Sequence, residues 1–489
     1  MAATTLTGTT GNDTLNAPGT VSALVQGLAG NDTITLATKT DEANGGDGKD
    51  SIVFQTSGTA TNTIDGGAGA DTIFIQSAAS FDGYLAGGAG NDSIEVATTA
   101  SIVDSDLFGG LGADTISLRN TITTSTIGAG SGADLLTFTA AQTITSSRIN
   151  GGQEKDTIRF LSNGTLASST LQGGKGGDLL VFTGAYTTTN AKIGTGKGDD
   201  SINLGSATFT TSSIAGGLGN DTITVNSSLA AFGRIYGGSD GDTGAASSTA
   251  YGDNDTFLFS AAGTFNVAGS IYGGGGNDTL NALAVAQSQL LIHGGNGADS
   301  IRVLSQAGQA SINGGNGKDI IRFGTAGSAQ VNNNTLATIN GGAGVDTIRF
   351  GTGIGAHDAV ISTATQINMI VAYGAGDKLR MDTAIATTQS NWAAGNVVSM
   401  SDTTFTTLNT AGNTYSQIGS VGVFSDGTDT WFSINSAAQL GGSTALVVQV
   451  KGKDLVTTTL FGAVALNSSN FGFSIDYAGS TAGVSISLT

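Results

Sequence analysis

The sequence predicts an all-β chain: a right-handed parallel β-solenoid, or β-roll, of about sixteen coils with a period near 21 residues, closed by a β-rich C-terminal cap. Three observations carry that expectation. A Gly-Gly-x-Gly-x-Asp turn, seen at Gly66 to Asp71, recurs down most of the chain. Its aspartates fall mostly 20 to 22 residues apart. Apolar residues hold fixed places between one turn and the next.

The turn comes first. Its glycines supply backbone conformations that a Cβ makes costly, as at Gly66, Gly67 and Gly69, Gly87, Gly88 and Gly90, Gly109, Gly110 and Gly112, and Gly216, Gly217 and Gly219. The aspartates are Asp13, Asp32, Asp50, Asp71, Asp92, Asp114, Asp134, Asp156, Asp178, Asp200 and Asp221. After an interruption they resume with Asp255, Asp278, Asp299, Asp319 and Asp346. Each sits where turn becomes strand.

The strand follows. Two and four residues past Asp71 stand Ile73 and Ile75, spaced to face the same side of an extended chain. Most copies repeat this pair with Ile, Leu, Val or Phe. A third apolar position, such as Ile64 or Leu85, precedes the next glycine pair and marks a second short strand. The linking segment is rich in Thr, Ser and Ala and is expected to turn. Stacking coil on coil buries these positions between two parallel sheets, which no single coil can do.

Residues 239–255 interrupt the period and are expected to loop out of one coil. The array with this loop spans 1–379. Beyond a degenerate turn at Ala372 to Leu379, residues 380–489 show strand-like runs, expected to cover the open parallel edge.

Composition narrows the partners. The net charge of −19 comes largely from the repeat aspartates, so nucleic acid is an improbable ligand. Cysteine is absent, which removes disulfides, thiol nucleophiles and thiolate metal sites. The N-terminus lacks the regions of a signal peptide, and no run reaches the ~18 apolar residues of a membrane span.

Stacked turns place the aspartates in a column spaced ~5 Å, where neighbouring charges repel by ~3 kcal/mol at an effective dielectric near 20. Calcium answers this best: it takes six to eight oxygens from carboxylates and carbonyls together. Zinc is disfavoured by the lack of cysteine and the presence of only two histidines, His293 and His357. Magnesium is disfavoured by its octahedral demand.

The units resemble the calcium-binding nonapeptide repeats of the RTX family, Gly-Gly-x-Gly-x-Asp-x-U-x with U a large apolar residue. GGAGADTIF, GGLGNDTIT and GGNGADSIR stand nearly unaltered, and the resemblance spans roughly residues 8–350. It implies a β-roll holding multiple Ca2+ ions between successive turns. It also implies an extracellular place and an uncleaved type I secretion signal at the extreme C-terminus. Family arrays run nonapeptides back to back. Here one motif alternates with a hydroxyl-rich segment, so calcium is expected along one edge only. Gly151 to Asp156 lacks the third glycine, while Ala129 and Thr195 replace the first.

Other motifs carry less. Gly237 to Gly241 satisfies Gly-x-Ser-x-Gly, but no helix follows and no histidine has a matching context. Asn12, Asn31, Asn220 and Asn277 fit the glycosylation pattern, which the repeat explains, since asparagine tolerates a left-handed turn. Three residues past the aspartate, late coils carry Arg302, Arg322, Arg349 and Arg380, a candidate assembly or anion-docking stripe. No enzyme is expected. The expectation is a secreted structural protein that uses calcium to fold and self-assembles on or outside a bacterial cell, as a surface-layer, filament or matrix component. Cell-surface polysaccharide or lipopolysaccharide and the type I machinery are the further expected partners. The alternatives are an adhesin or carbohydrate-binding module using Trp392, Trp431 and Phe432, and a polysaccharide-acting enzyme.

Overall fold

A computed structural model describes residues 4–226 except 20, 38–40, 56–58, 78–79 and 98–99. It further describes 233–238, 252–259, 269–286, 290–307, 310–323 and 337–351, and beyond these only separate strands. Ser239 to Gly241, His357, Ala372 to Asp377 and Trp392 lie outside the described residues. The chain divides into two compact units, Met1–Asp240 and Gly241–Thr489.

The first unit is a parallel β-solenoid. Strands that enter the glycine turn form one sheet: Glu42–Asp47 pairs with Thr63–Ala68, that with Tyr84–Ala89, and so on through Ser213–Leu218. Strands that leave the aspartate form a second, from Thr14–Asn16 to Thr222–Val225. Register puts like on like, so Ile73 lies between Ile52 and Ile94. All three are buried, as are the residues two further on, Phe54, Ile75 and Val96.

The two-sheet expectation is corrected by a third. The hydroxyl-rich segment is not only a turn: eight short strands, from Thr59–Ala60 to Thr208–Thr210, form another parallel sheet. Its inward side chains include Phe81, Ile102, Ile122, Ile144, Leu166 and Phe209. These are spaced two apart among threonines, so a period-2 signal was present but short. Phe138, Phe160 and Phe182 stack face to face at 4.4 and 4.5 Å, and Tyr186 of the third sheet meets Phe160 edge-on at 5.0 Å. Such contacts add to the burial of each ring.

The corner after the third sheet explains the serines. Asp104, Thr124, Ser146, Ser168, Asn190 and Thr211 take positive φ there, and the next residue turns inward. The inward Ser125 hydroxyl donates to the Thr123 carbonyl at 2.8 Å and accepts the N–H of Ser105 at 3.2 Å. Ser147 repeats this with Thr145 and Ser125. A buried corner thus finds partners for polar groups that water cannot reach.

The second unit repeats the first two sheets. Gly269–Gly275, Leu290–Asn296, Ala310–Asn316 and Ala337–Ala343 pair in parallel, as do Thr279–Ala286, Ser300–Ala307, Ile320–Phe323 and Thr347–Gly351. The last parallel strands are covered. Ala445–Val450 pairs with Asn368–Ile370, and Val484–Leu488 runs antiparallel to Lys378–Asp382. Trp431 and Phe432 lie on Thr430–Asn435, antiparallel to Ala445–Val450. Among the described residues complete coils number about twelve, slightly fewer than the sixteen expected.

Candidate metal-binding edge

Each coil places one carboxylate at the same point, and the backbone fixes its direction. Oδ1 of Asp92 accepts the N–H of Asp71 at 2.7 Å, and Oδ1 of Asp71 accepts that of Asp50 at 2.8 Å. The ladder runs unbroken from Asp13 to Asp221 in the first unit and from Asp255 to Asp346 in the second. The carbonyl of each aspartate in turn accepts an N–H of the next coil, as Asp71 does from Ser93 at 2.8 Å.

The other oxygen has no such partner. Oδ2 of Asp32, Asp50, Asp71, Asp92, Asp114, Asp134, Asp156 and Asp178 is buried without a hydrogen bond, as is that of Asp299. Asp13 differs. Its Oδ2 takes the Thr9 N–H and hydroxyl, because Thr9 replaces the second glycine.

What faces these oxygens is glycine backbone, packed too close to admit a side chain. A Cβ built on Gly66 would lie 2.7 Å from Oδ2 of Asp71 and closer still to the carbonyl oxygen of Gly87 in the next coil. The same holds at Gly87 with Asp92 (2.6 Å), Gly109 with Asp114 (2.5 Å) and Gly151 with Asp156 (2.6 Å). Each of these coils therefore brings a carboxylate oxygen and a carbonyl oxygen of the next coil against the same glycine. Calcium bonds to oxygen at 2.3–2.6 Å, and all-oxygen donors suit a hard cation. The residues fit calcium.

The three glycines have different reasons. Gly66 lets Oδ2 of Asp71 and the Gly87 carbonyl approach where a Cβ would clash. Gly67 and Gly69 have φ of +105° and +138°, which a side chain would strain. In Gly151 to Asp156 the missing third glycine is Glu154, which takes φ of +75° itself, so the turn survives.

Two coils carry a side chain at the place of that glycine. Ala129 is fully buried beside Asp134 with a methyl where other coils have none. Thr195 is also buried, and its hydroxyl donates to the Gly216 carbonyl at 2.7 Å. A neutral donor there contacts the carbonyl that a cation would otherwise face.

Burial more than repulsion sets the electrostatics, which corrects the emphasis of the charge-column argument. Asp71, Asp92, Asp114, Asp134 and Asp178 are pushed up to about 6, chiefly by burial. The backbone N–H on Oδ1 opposes this, and neighbouring carboxylates add a smaller rise for Asp71, Asp92 and Asp114. Asp200 reaches about 7 and Asp156 about 8, where Asp134, Asp178 and Glu154 add to burial.

The asparagines have a role the left-handed reading missed. None of Asn12, Asn31, Asn220 and Asn277 has a positive φ. Instead Oδ1 of Asn12 accepts the N–H of Asn31, and Oδ1 of Asn277 that of Ala298, at 2.8 and 2.7 Å. They link coil to coil. Arg302, Arg322, Arg349 and Arg380 fall in one register row, as their spacing predicts, with Arg302 and Arg322 half-buried.

Among the described residues no cluster of three or more His, Cys, Asp and Glu side chains could hold an ion, and no helix is long and apolar enough to cross a membrane. Any site here joins one carboxylate per coil to backbone oxygens.

Comparison with known proteins agrees with this geometry. A family model for the RTX calcium-binding nonapeptide repeat (4 copies) matches residues 3–17, 26–54, 56–74, 78–95 and 270–284. No curated protein sequence matches the chain. Among solved structures it is similar to a hyperactive, Ca2+-dependent, beta-helical antifreeze protein from an Antarctic bacterium, at 19% identity and a TM-score of 0.35. That match covers 69% of this chain and 83% of the other. The matched segments carry RTX-type nonapeptide repeats, and their glycine turns stack in the same register as the unmatched ones.

Proposed function

We propose that this chain is a secreted structural protein that calcium folds and locks, and that it self-assembles at or outside the bacterial cell surface as a lattice, filament or matrix component. The observation that carries the reading is the column of buried Oδ2 atoms, each against a bare glycine and near a carbonyl of the next coil. A buried acceptor left unsatisfied costs about 1–3 kcal/mol, more when charged. Divalent cations bound along this edge satisfy the oxygens, neutralise the column and tie coil to coil.

In the first unit the ion-holding coils are those of Asp32, Asp50, Asp71, Asp92, Asp114, Asp156, Asp178 and Asp221. In the second they are those of Asp278, Asp299, Asp319 and Asp346. Ala129 and Thr195 leave Asp134 and Asp200 out of the set. Export by a type I system and a calcium-rich exterior suit a chain whose fold waits for the ion. The register row of Arg302, Arg322, Arg349 and Arg380 supplies guanidinium groups for carboxylates or phosphates of a neighbouring molecule, including surface polysaccharide or lipopolysaccharide.

Electron microscopy with and without calcium tests the reading. Ordered lattices or filaments that dissolve in chelator are expected. Dispersed single molecules in saturating calcium would overturn it.

A further inference from the structure

We propose that the outer face of the first unit's glycine-turn sheet is a self-complementary interface, where two copies of this chain pack antiparallel about a two-fold axis. The axis lies parallel to the strands, between Asp106–Leu111 and Thr126–Ser131. The proposal rests on the self-assembly reading above and gives it a surface.

Charge on this face is sorted along the stack. Acidic groups come early: Glu42 and Asp47 on strand Glu42–Asp47, and Asp65 on the next. Basic groups come late: Arg148, then Lys175, then Lys192 and Lys197 on one strand. For a chain of net charge −19, a run of four cations on three successive strands is a local exception. Lys175, Lys192 and Lys197 border one open groove, whose floor is the side-chain-free backbone of Gly174, Gly194 and Gly196.

Between the two charged zones the face carries large apolar side chains and one acidic group, Asp106. Tyr84 and Leu111 are 41% and 61% exposed, and the Tyr84 and Phe108 rings lie 5.9 Å apart. The ring of Phe108 leans over Gly128, where an added Cβ would be 3.0 Å from it.

The register makes the two ends match. Rotation about an axis parallel to the strands reverses the coil order but keeps each residue in its own row. Glu42 and Lys192 share the first row and stand equally far from the axis on opposite sides. Glu42 therefore meets Lys192 of the second copy. Asp47 and Lys197 share the row nearest the turn in the same way, and so meet. Asp65 meets Gln172, Tyr84 meets Arg148, and Phe108, leaning over its own Gly128 beside the axis, meets Phe108 of the second copy. No like charges face each other in these rows. Moving the axis onto strand Thr126–Ser131 would leave Asp106 with Arg148 as the sole ion pair.

The area is adequate. Eight strands at ~4.8 Å and six residues at ~3.3 Å give a face of about 35 by 20 Å, roughly 700 Å2 per copy. Twice that lies within the range of specific, stable interfaces, about 1,200–2,000 Å2 in total. Opposed charge sets partner and register, while the apolar centre supplies contact.

Sedimentation of the full chain in millimolar calcium tests this. The wild type is expected to self-associate, more weakly at high salt. Reversing one end with E42K and D47K, or the other with K192E and K197E, is expected to weaken association at least about tenfold. All four changes together restore it. Association unchanged by either reversal, or not restored by the combination, overturns this interface; if the wild type still associates, the assembly reading stands on another surface. A wild type that stays monomeric overturns both. The chain lacks cysteine, so single cysteines report the axis. Thr126→Cys is expected to crosslink to its copy with a short bis-maleimide, being about one strand spacing away along the sheet. Thr63→Cys, about five spacings from its copy, is not. The reverse pattern rules out this axis.

Discussion

The N–H of Asp71 donates to Oδ1 of Asp92 at 2.7 Å, and that bond leaves Oδ2 of Asp92 against the bare backbone of Gly87. One oxygen is used to hold two coils in register. The other is left for something the chain does not itself provide.

Gly87 has no positive φ, so alanine there strains no backbone, yet its Cβ would fall 2.6 Å from Oδ2 of Asp92. Gly87→Ala is expected to lower the number of bound calcium ions by one and to reduce the melting temperature in calcium. The converse change, Ala129→Gly, opens the space beside Asp134 and raises the count by one. Metal analysis after gel filtration reads both. A count that moves in neither variant would place calcium elsewhere.

Without calcium the chain should lose stability as pH rises. Burial holds Asp71, Asp92 and Asp114 at about 6 and Asp156 at about 8, all above the unfolded value near 3.8. A carboxyl whose pKa is raised by folding binds more protons when folded. Its contribution is fully present below the unfolded pKa and is lost as pH climbs through the folded one. Thermal melts in chelator should therefore fall from about pH 4 to pH 8, whereas saturating calcium should flatten or reverse the trend. A metal-free chain most stable at pH 8 would contradict the buried ladder.

Phe160 stacks on Phe138 and Phe182 at once, and Tyr186 meets its edge. Phe160→Ala should cost about 3–5 kcal/mol, because the neighbouring coils cannot close over the hole without breaking register. Urea unfolding in saturating calcium would show the shift, and hydrogen exchange should rise first in residues 138–182.

The hydroxyl corner can be tested one bond at a time. Ser147→Ala removes the acceptor of the Ser125 N–H, 3.2 Å away in a buried corner. About 1–3 kcal/mol is expected, the cost of an unsatisfied buried donor. Faster exchange of the Ser125 amide would locate it, while unchanged protection would mean another group takes the bond.

Much of this was legible from residue order. The spacing of Ile52, Ile73 and Ile94 states the period, the inward face and the register of one sheet together, because identical coils can bury their apolar residues only by stacking. The glycines of residues 66–69 announce the turn, since few other residues tolerate φ of +105° and +138°. The motif also named the carboxylates and suited a hard cation. What misled was the hydroxyl-rich segment: Ile102 and Ile122 alternate with polar residues over too few positions to separate a short strand from a turn.

Sequence by itself determined the repeat, its period, the aspartate column and the residues that stack. Tertiary structure alone decided that the coil has a third side, that Ser125 and Ser147 hold its far corner, and that one carboxylate oxygen is spent on backbone while the other is left over. The reason is physical. Periodicity encodes which positions are equivalent between coils, whereas a hydrogen bond from Asp71 to Asp92, or a methyl of Ala129 standing beside Asp134, depends on how one coil sits upon the next.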